Sequence, residues 1–123
     1  MQRIVSALRT RKPGIRVIVF SRGAGTNLEL ASQIAPGACM GLDTAENLDV
    51  ATRLLPAKTP VQGNLDPLAL IAGGDALKNA VLDIRRALAG RPYIFNLGHG
   101  ILPETPIAHV EQLVGLVRAP LGG

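Results

Sequence analysis

The chain has 123 residues, 47% of them hydrophobic and 18% charged, a balance that fits one modest domain and excludes native disorder. Thirteen Lys+Arg against nine Asp+Glu give a formal charge of +4 and a sequence pI near 10.0. Such an excess fits either an anionic partner or solvated helix ends, because net charge alone locates no patch. No stretch approaches the roughly 18 uninterrupted apolar residues of a membrane span, and the first ten residues lack a signal core. A soluble, cytoplasmic chain without membrane contact is the expectation. One cysteine, Cys39, excludes an intramolecular disulfide and a multi-Cys zinc site. Three aromatics, Phe20, Tyr93 and Phe95, give no stacking platform for bases, so nucleic acid is not an expected partner. Phe20 and Phe95 lie in apolar runs and read as core.

In chain order, Ile4, Val5 and Leu8 fall at helical spacing, and Arg9, Arg11 and Lys12 suit a helix C-terminus before Pro13-Gly14. Residues 15–20, IRVIVF, read as a strand covered on both faces. Ser21-Arg22-Gly23-Ala24-Gly25 then leads to Thr26 or Asn27 as N-cap of a helix carrying Leu28, Leu30, Ala31 and Ile34, closed by Pro36-Gly37. The cycle repeats. Residues 38–42 form a short strand ending at Asp43, and Thr44 can cap a helix with Leu48, Ala51, Leu54 and Leu55. Val61 and Gln62 begin a third strand that runs into Gly63-Asn64-Leu65-Asp66-Pro67, with Asp66 as N-cap and Pro67 at the first helical position. Gly73-Gly74 breaks that turn, and Asp75 can cap a longer helix with Leu77, Ala80, Val81, Ile84 and Leu88 inward. Residues 93–97 are the fourth strand. After Gly98-His99-Gly100, Thr105-Pro106 starts a last helix with Ile107, Val110, Leu113, Val114 and Val117 on one face.

Four strand-then-helix units predict a parallel sheet of the α/β class. The choices are an open doubly wound sheet or part of a (β/α)8 barrel, of which four units are half. Either way the loops after the strands gather at one end, where ligands bind. Arg22-Gly23-Ala24-Gly25 offers backbone N–H groups beside a guanidinium, suited to a carboxylate or phosphate; a plain tight turn is an equal reading. Asp43 reads more readily as a helix cap than as a site carboxylate. Asn64 can hold a loop or a ligand. His99, flanked by glycines directly after a strand, projects where substrate would lie and can donate a hydrogen bond or a proton near neutral pH. That reading leads over a histidine that fixes its own loop. His109, on the last helix, reads as a solvated surface residue. Cys39 has no positioned base, and Ser6, Ser21 and Ser32 stand in no nucleophile elbow. Two isolated histidines and one cysteine lack metal-ligand spacing.

Gly41-Leu42-Asp43, Gly63-Asn64-Leu65-Asp66-Pro67 and Asn96-Leu97-Gly98-His99-Gly100 together resemble, in order and spacing, the loops of the uroporphyrinogen decarboxylases of haem biosynthesis. The likeness covers residues 13–118. It implies a TIM-barrel fold represented by four C-terminal βα units, a C-terminal half-barrel spanning residues 1–123 as a single partial domain. It further implies a cytoplasmic homodimer, with no cofactor or metal, that removes four acetate carboxylates from uroporphyrinogen III to give coproporphyrinogen III. By position His99 matches the family histidine that contacts the substrate's carboxylates, and Arg22 stands where many members have Lys. Thr44 departs from the Trp that commonly follows Gly-Leu-Asp. The family's N-terminal arginines, its central aspartate that binds the pyrrole N–H groups, and its substrate-contacting Tyr and Ser have no counterpart here. The catalytic residues are therefore expected in an N-terminal half, and the isolated chain is expected to be inactive. Substrate binding is assigned to His99, with Arg22 and Asn64 behind it, and the partner is an anionic tetrapyrrole. The alternatives are a non-catalytic half-barrel assembly module, pairing with itself or with an N-terminal half, and a corrinoid methyltransferase relative.

Overall fold

A computed structural model describes residues 1–122. Helix α1 (Gln2–Arg11) is followed by four units: β1 (Ile18–Phe20) with a 3-10 turn and α2 (Leu28–Ile34); β2 (Cys39–Gly41) with α3 (Leu48–Leu54); β3 (Val61–Leu65) with α4 (Pro67–Ala72) and α5 (Gly74–Ala87); and β4 (Tyr93–Leu97) with α6 (Ile107–Arg118). The four strands pair in parallel in the order β1-β2-β3-β4. A sequential order means that every crossover steps the same way, and right-handed crossovers repeated in one direction lay all their helices on one face. A doubly wound sheet reverses direction and covers both faces. The architecture is therefore that of consecutive barrel units.

Register sorts the strand side chains accordingly. Val19, Met40, Val61 and Tyr93 are successive partners, forming one row across the sheet. Val19, Met40 and Val61 are buried in the core with Leu65 and the helix residues Leu28, Ala51, Leu70, Leu77, Val81 and Ile84. Ile18 and Phe20 on β1 and Ile94 on β4 alternate with that row, and each remains 47–50% exposed. Full cover of residues 15–20 on both faces is thus overturned: the strand is three residues long and only Val19 is buried. Phe20 is not core, while Phe95 is partly buried against it. Cys39 is buried, and burial pushes its thiol pKa up, which leaves it mostly protonated and unreactive near neutral pH.

Helix starts follow expectation at Asp66, whose side chain accepts from the Leu68 N–H ahead of Pro67. Two others move. Asn47, not Thr44, caps α3, accepting from the N–H groups of Asp49 and Val50, and Gly73, not Asp75, precedes α5. Asp75 sits instead in the first turn, where it favours the helix dipole. Leu30 is exposed, and α6 rotates its inward stripe to Val110, Leu113, Leu116 and Val117, leaving Ile107 79% exposed. The rotation has a visible cause at His109. Its ring lies against Gly73, where any Cβ would collide with it, and its Nδ1 is 3.0 Å from the Leu70 carbonyl oxygen. Gln112 on the same face exchanges two hydrogen bonds with the Gly74 backbone, each 3.0 Å. His109 is therefore a packing residue on the α4–α5 junction, not a solvated one. Gly73 also has φ +65° and ψ −161°, a region essentially restricted to glycine.

Two arginines close helix C-termini. Arg85 on α5 is buried and donates to the carbonyls of Leu116 and Ala119 at the end of α6, at 2.8 and 2.7 Å. Arg91 donates to four carbonyls, those of Thr52 and Leu55 at the end of α3 and those of Pro56 and Thr59 beyond it, at 2.8–3.1 Å. Each guanidinium supplies donors to groups that a helix end leaves orphaned, and its charge complements the helix dipole. Replacing Arg91 by Ala is expected to lower unfolding free energy by about 2–3 kcal/mol, the usual cost of losing charge-assisted bonds to partly buried carbonyls. Urea denaturation checks this, and Arg91→Lys should recover less than half, because an ammonium cannot fork between four oxygens.

Candidate functional site

The loops after the four strands form a tied ring of contacts at one end of the sheet. Asp43 follows β2 and is buried; its Oδ2 accepts from the Gly23 N–H in the loop after β1, at 3.0 Å. Glu46, three residues on, accepts through Oε1 from the Gly25 N–H at 2.7 Å. Two backbone donors of the glycine loop are therefore taken by carboxylates of the next loop. Asp43 is not the cap of α3, and these N–H groups do not form an open anion cradle. The glycines make the tight turn, with positive φ at both Gly23 and Gly25, and the turn is fixed from the side by carboxylates.

Asn64 completes the tie from β3. It is buried, and its Nδ2 donates to the carbonyls of Asp43 and Glu46 at 3.0 and 2.9 Å. Both amide hydrogens are thereby spent on the loop between β2 and α3. Of its two expected roles, holding a loop is the one the geometry gives. The loop after β4 is seated directly on the same segment: a Cβ on Gly98 would lie 2.6 Å from the Thr44 Cα, so only glycine permits the approach. The Gly98 N–H meanwhile donates to the Leu65 carbonyl at 2.8 Å. Thr44, expected as a cap, instead forms this seat, and its buried Oγ1 has no hydrogen-bond partner.

His99 stands exposed on that loop. Its Nδ1 accepts from the Gly100 N–H at 2.9 Å, so the ring proton resides on Nε2. One nitrogen thus fixes its own loop, as the second sequence reading expects, and the other is left exposed. It borders an open cavity of about 280 Å³ lined also by Thr44, Asp66, Pro67, Leu68, Gly100 and Leu102. Arg22 is exposed in the loop after β1, at the far edge of the sheet from His99. Three strand spacings of about 4.8 Å separate those strands by roughly 14 Å. Among the described residues, no three His, Cys, Asp or Glu side chains gather as metal ligands.

Sequence reasoning did not anticipate Glu46. Its partner Gly25 lies 21 residues away, and no local pattern marks such a pair. Asn64→Ala should leave two buried carbonyls unpaired and cost about 2 kcal/mol of stability. It should also speed amide hydrogen exchange at Gly23 and Gly25, two bonds removed from the substitution. Exchange confined to β3 would contradict the tie described above.

The family model for uroporphyrinogen decarboxylase (URO-D) matches residues 1–120. Among curated relatives, the uroporphyrinogen decarboxylase of Granulibacter bethesdensis is 49% identical over 118 residues, 95% of this chain and 34% of that protein. The enzyme of the same name from Chelativorans sp. is 50% identical over 115 residues, 94% of this chain and 33% of that protein. That of Sphingopyxis alaskensis is 49% identical over 115 residues, 94% of this chain and 34% of that protein. The chain spans about a third of the length of the curated relatives it matches. The resemblance in the loops after β2, β3 and β4 thus extends over nearly all of the residues present, and the chain belongs to the uroporphyrinogen decarboxylase family.

Proposed function

We propose that this chain forms the carboxylate-binding part of a uroporphyrinogen decarboxylase, acting on an anionic tetrapyrrole. The observation that carries the reading is His99, whose Nδ1 is committed to Gly100 and whose exposed ring presents Nε2–H beside the cavity at the C-terminal end of the sheet. A neutral imidazole with that hydrogen donates to a carboxylate. Arg22 is the second contact, by charge and by its place on the same end of the sheet. Asn64 acts through the loops it ties. The order of the loop motifs supports assigning these four units to the C-terminal half of the barrel, in a cytoplasmic enzyme that uses no cofactor.

Each acetate leaves as CO2 after a proton adds to the adjacent pyrrole carbon. The electron pair of the breaking C–C bond then neutralises the ring cation and leaves an exocyclic methylene; protonation of that methylene carbon and loss of the proton from the ring carbon give the methyl group. The protein must deliver the proton and stabilise the cation. By the family resemblance, the aspartate suited to the second task has no counterpart among these 123 residues, so the chain alone binds without turnover. The half-exposed Ile18, Phe20 and Ile94 and the two unpaired sheet edges also support a second reading, an assembly module that meets another half-barrel.

Titration of the purified chain with uroporphyrin I, the fluorescent oxidised octacarboxylate, should give saturable binding that weakens as salt rises. His99→Ala and Arg22→Ala should each weaken it about tenfold, or about 1.4 kcal/mol. Anaerobic incubation with uroporphyrinogen should yield no coproporphyrinogen. Binding indifferent to both substitutions would sink the assignment, and formation of coproporphyrinogen would sink the division between binding and turnover.

A further inference from the structure

The hydrogen bond that would make α4 and α5 one helix is missing, and two side chains of α6 have taken its halves. A helix continuing through residue 73 would pair the Leu70 carbonyl with the Gly74 N–H, four residues on. Gly73, at φ +65° and ψ −161°, breaks that path. The Leu70 carbonyl oxygen instead lies 3.0 Å from His109 Nδ1. A carbonyl oxygen only accepts, so that nitrogen carries the ring hydrogen and donates it. The Gly74 N–H donates to Oε1 of Gln112, and Gln112 Nε2 donates to the Gly74 carbonyl, each at 3.0 Å. His109 and Gln112 stand three residues apart, on one face of α6.

Helix α5 is fixed in the core by Leu77, Val81 and Ile84, so the angle at Gly73 decides where α4 points. Helix α4 has six residues, about 9 Å end to end, too short to hold a direction by its own hydrogen bonds. At its far end Asp66, Pro67 and Leu68 line the cavity beside His99, with Leu68 63% exposed. Another part of that lining, His99, Gly100 and Leu102, belongs to the loop that leads directly into α6. The helix that follows one wall therefore grips the element that forms the other.

We infer that His109 and Gln112 are positioning residues of the His99 cavity: by occupying both halves of the broken bond they hold the α4–α5 angle and keep Leu68 in the cavity wall. The inference rests on the proposed reading of that cavity as a carboxylate site. Neither side chain lines the cavity, so both act through α4. With the pair removed, the Leu70 carbonyl and the Gly74 N–H regain each other, α4 swings into line with α5, and Leu68 leaves the wall.

Titration of the chain with uroporphyrin I tests this. His109→Ala should bind about fivefold more weakly than wild type, and Gln112→Ala about threefold. His109→Asn should stay within about twofold, because its amide nitrogen stands as many bonds from Cα as Nδ1 and also donates. All are titrated well below their urea midpoints, so lost stability by itself does not lower affinity. A measurement without ligand reads the break directly: in the His109→Ala/Gln112→Ala double variant, the carbon-13 Cα shifts of Gly73 and Gly74 should move to helical values. Wild-type affinity in His109→Ala overturns the inference and leaves the ring a packing group. His109→Asn as weak as His109→Ala overturns the role of the bond to Leu70. Should His109→Ala not fold, Gln112→Ala carries the test, and wild-type affinity there overturns the inference equally. A wild-type chain that does not bind uroporphyrin I overturns the carboxylate reading, and the Gly73 shifts still judge the break: shifts unchanged in the double variant overturn it.

Discussion

The handedness of the strand-to-strand crossover governs the rest of this structure. Repeated in one direction, it puts α2 to α6 on one face of the sheet and leaves the other face and both edges uncovered. The core is consequently one-sided, built between the Val19, Met40 and Val61 row and the helices. On the opposite side Ile18, Phe20 and Ile94 are apolar without being buried, and the register sets Gln62 in the row between Phe20 and Ile94. A strand that is apolar on both sides makes sense only where both sides become covered, and in a barrel the inner side is covered by the strands opposite. The same direction rule gathers the loops after all four strands at one end. Asp43, Glu46, Asn64, Gly98 and His99 meet there although they come from separate units.

Positive charge divides into two populations once the contacts are known. Residues 1–28 hold six of the thirteen Lys+Arg and no Asp or Glu, and in that segment Arg3, Arg11, Lys12, Arg16 and Arg22 are exposed. Arg85 and Arg91, by contrast, are consumed by six main-chain carbonyls, four at the ends of α6 and α3 and two in the segment beyond α3. Part of the basic excess therefore serves helix ends, with Arg85 buried rather than solvated, while anion contact by Arg22 belongs to the proposed reading. Arg22 is separated from the structural arginines by position alone, since it stands on the loop end of the sheet where no helix terminus needs it.

Local chemistry made the element order legible. Asp66-Pro67, Gly73-Gly74 and Pro13-Gly14 each stop or start an element as side-chain and backbone preference dictate. Cap identity was less legible, because Thr44 and Asn47 are both competent and only the path of the chain decides between them. Thr44 lost its cap role to the close approach of Gly98. Strand β1, apolar in both alternating sets, could not separate a barrel from a doubly wound sheet. Strand order did. The histidines show the same limit from both sides. His99 advertises itself by flanking glycines, whereas His109 is fixed by a groove at Gly73 that lies 36 residues earlier in the chain and carries no signal near His109 itself.

The carboxylates of the loop end bear on the chemistry. Decarboxylation through a protonated pyrrole calls for a negative charge facing the ring, and the charge is worth most when it is desolvated and not neutralised by other donors. Asp43 is desolvated, but it is turned onto the Gly23 N–H and serves the loop. Glu46 is committed to Gly25, and Asp66 to the start of α4. Redirecting any of them would cost the hydrogen bond it makes and the loop or helix start that bond supports. The acids on this end are therefore scaffold, while the groups turned outward, His99 and Arg22, are donors. On the proposed reading, a site built this way grips carboxylates and stabilises a ring cation poorly. On that proposed reading the stabilising charge has to arrive from across the barrel, on the side of the sheet that Ile18, Phe20 and Ile94 leave open.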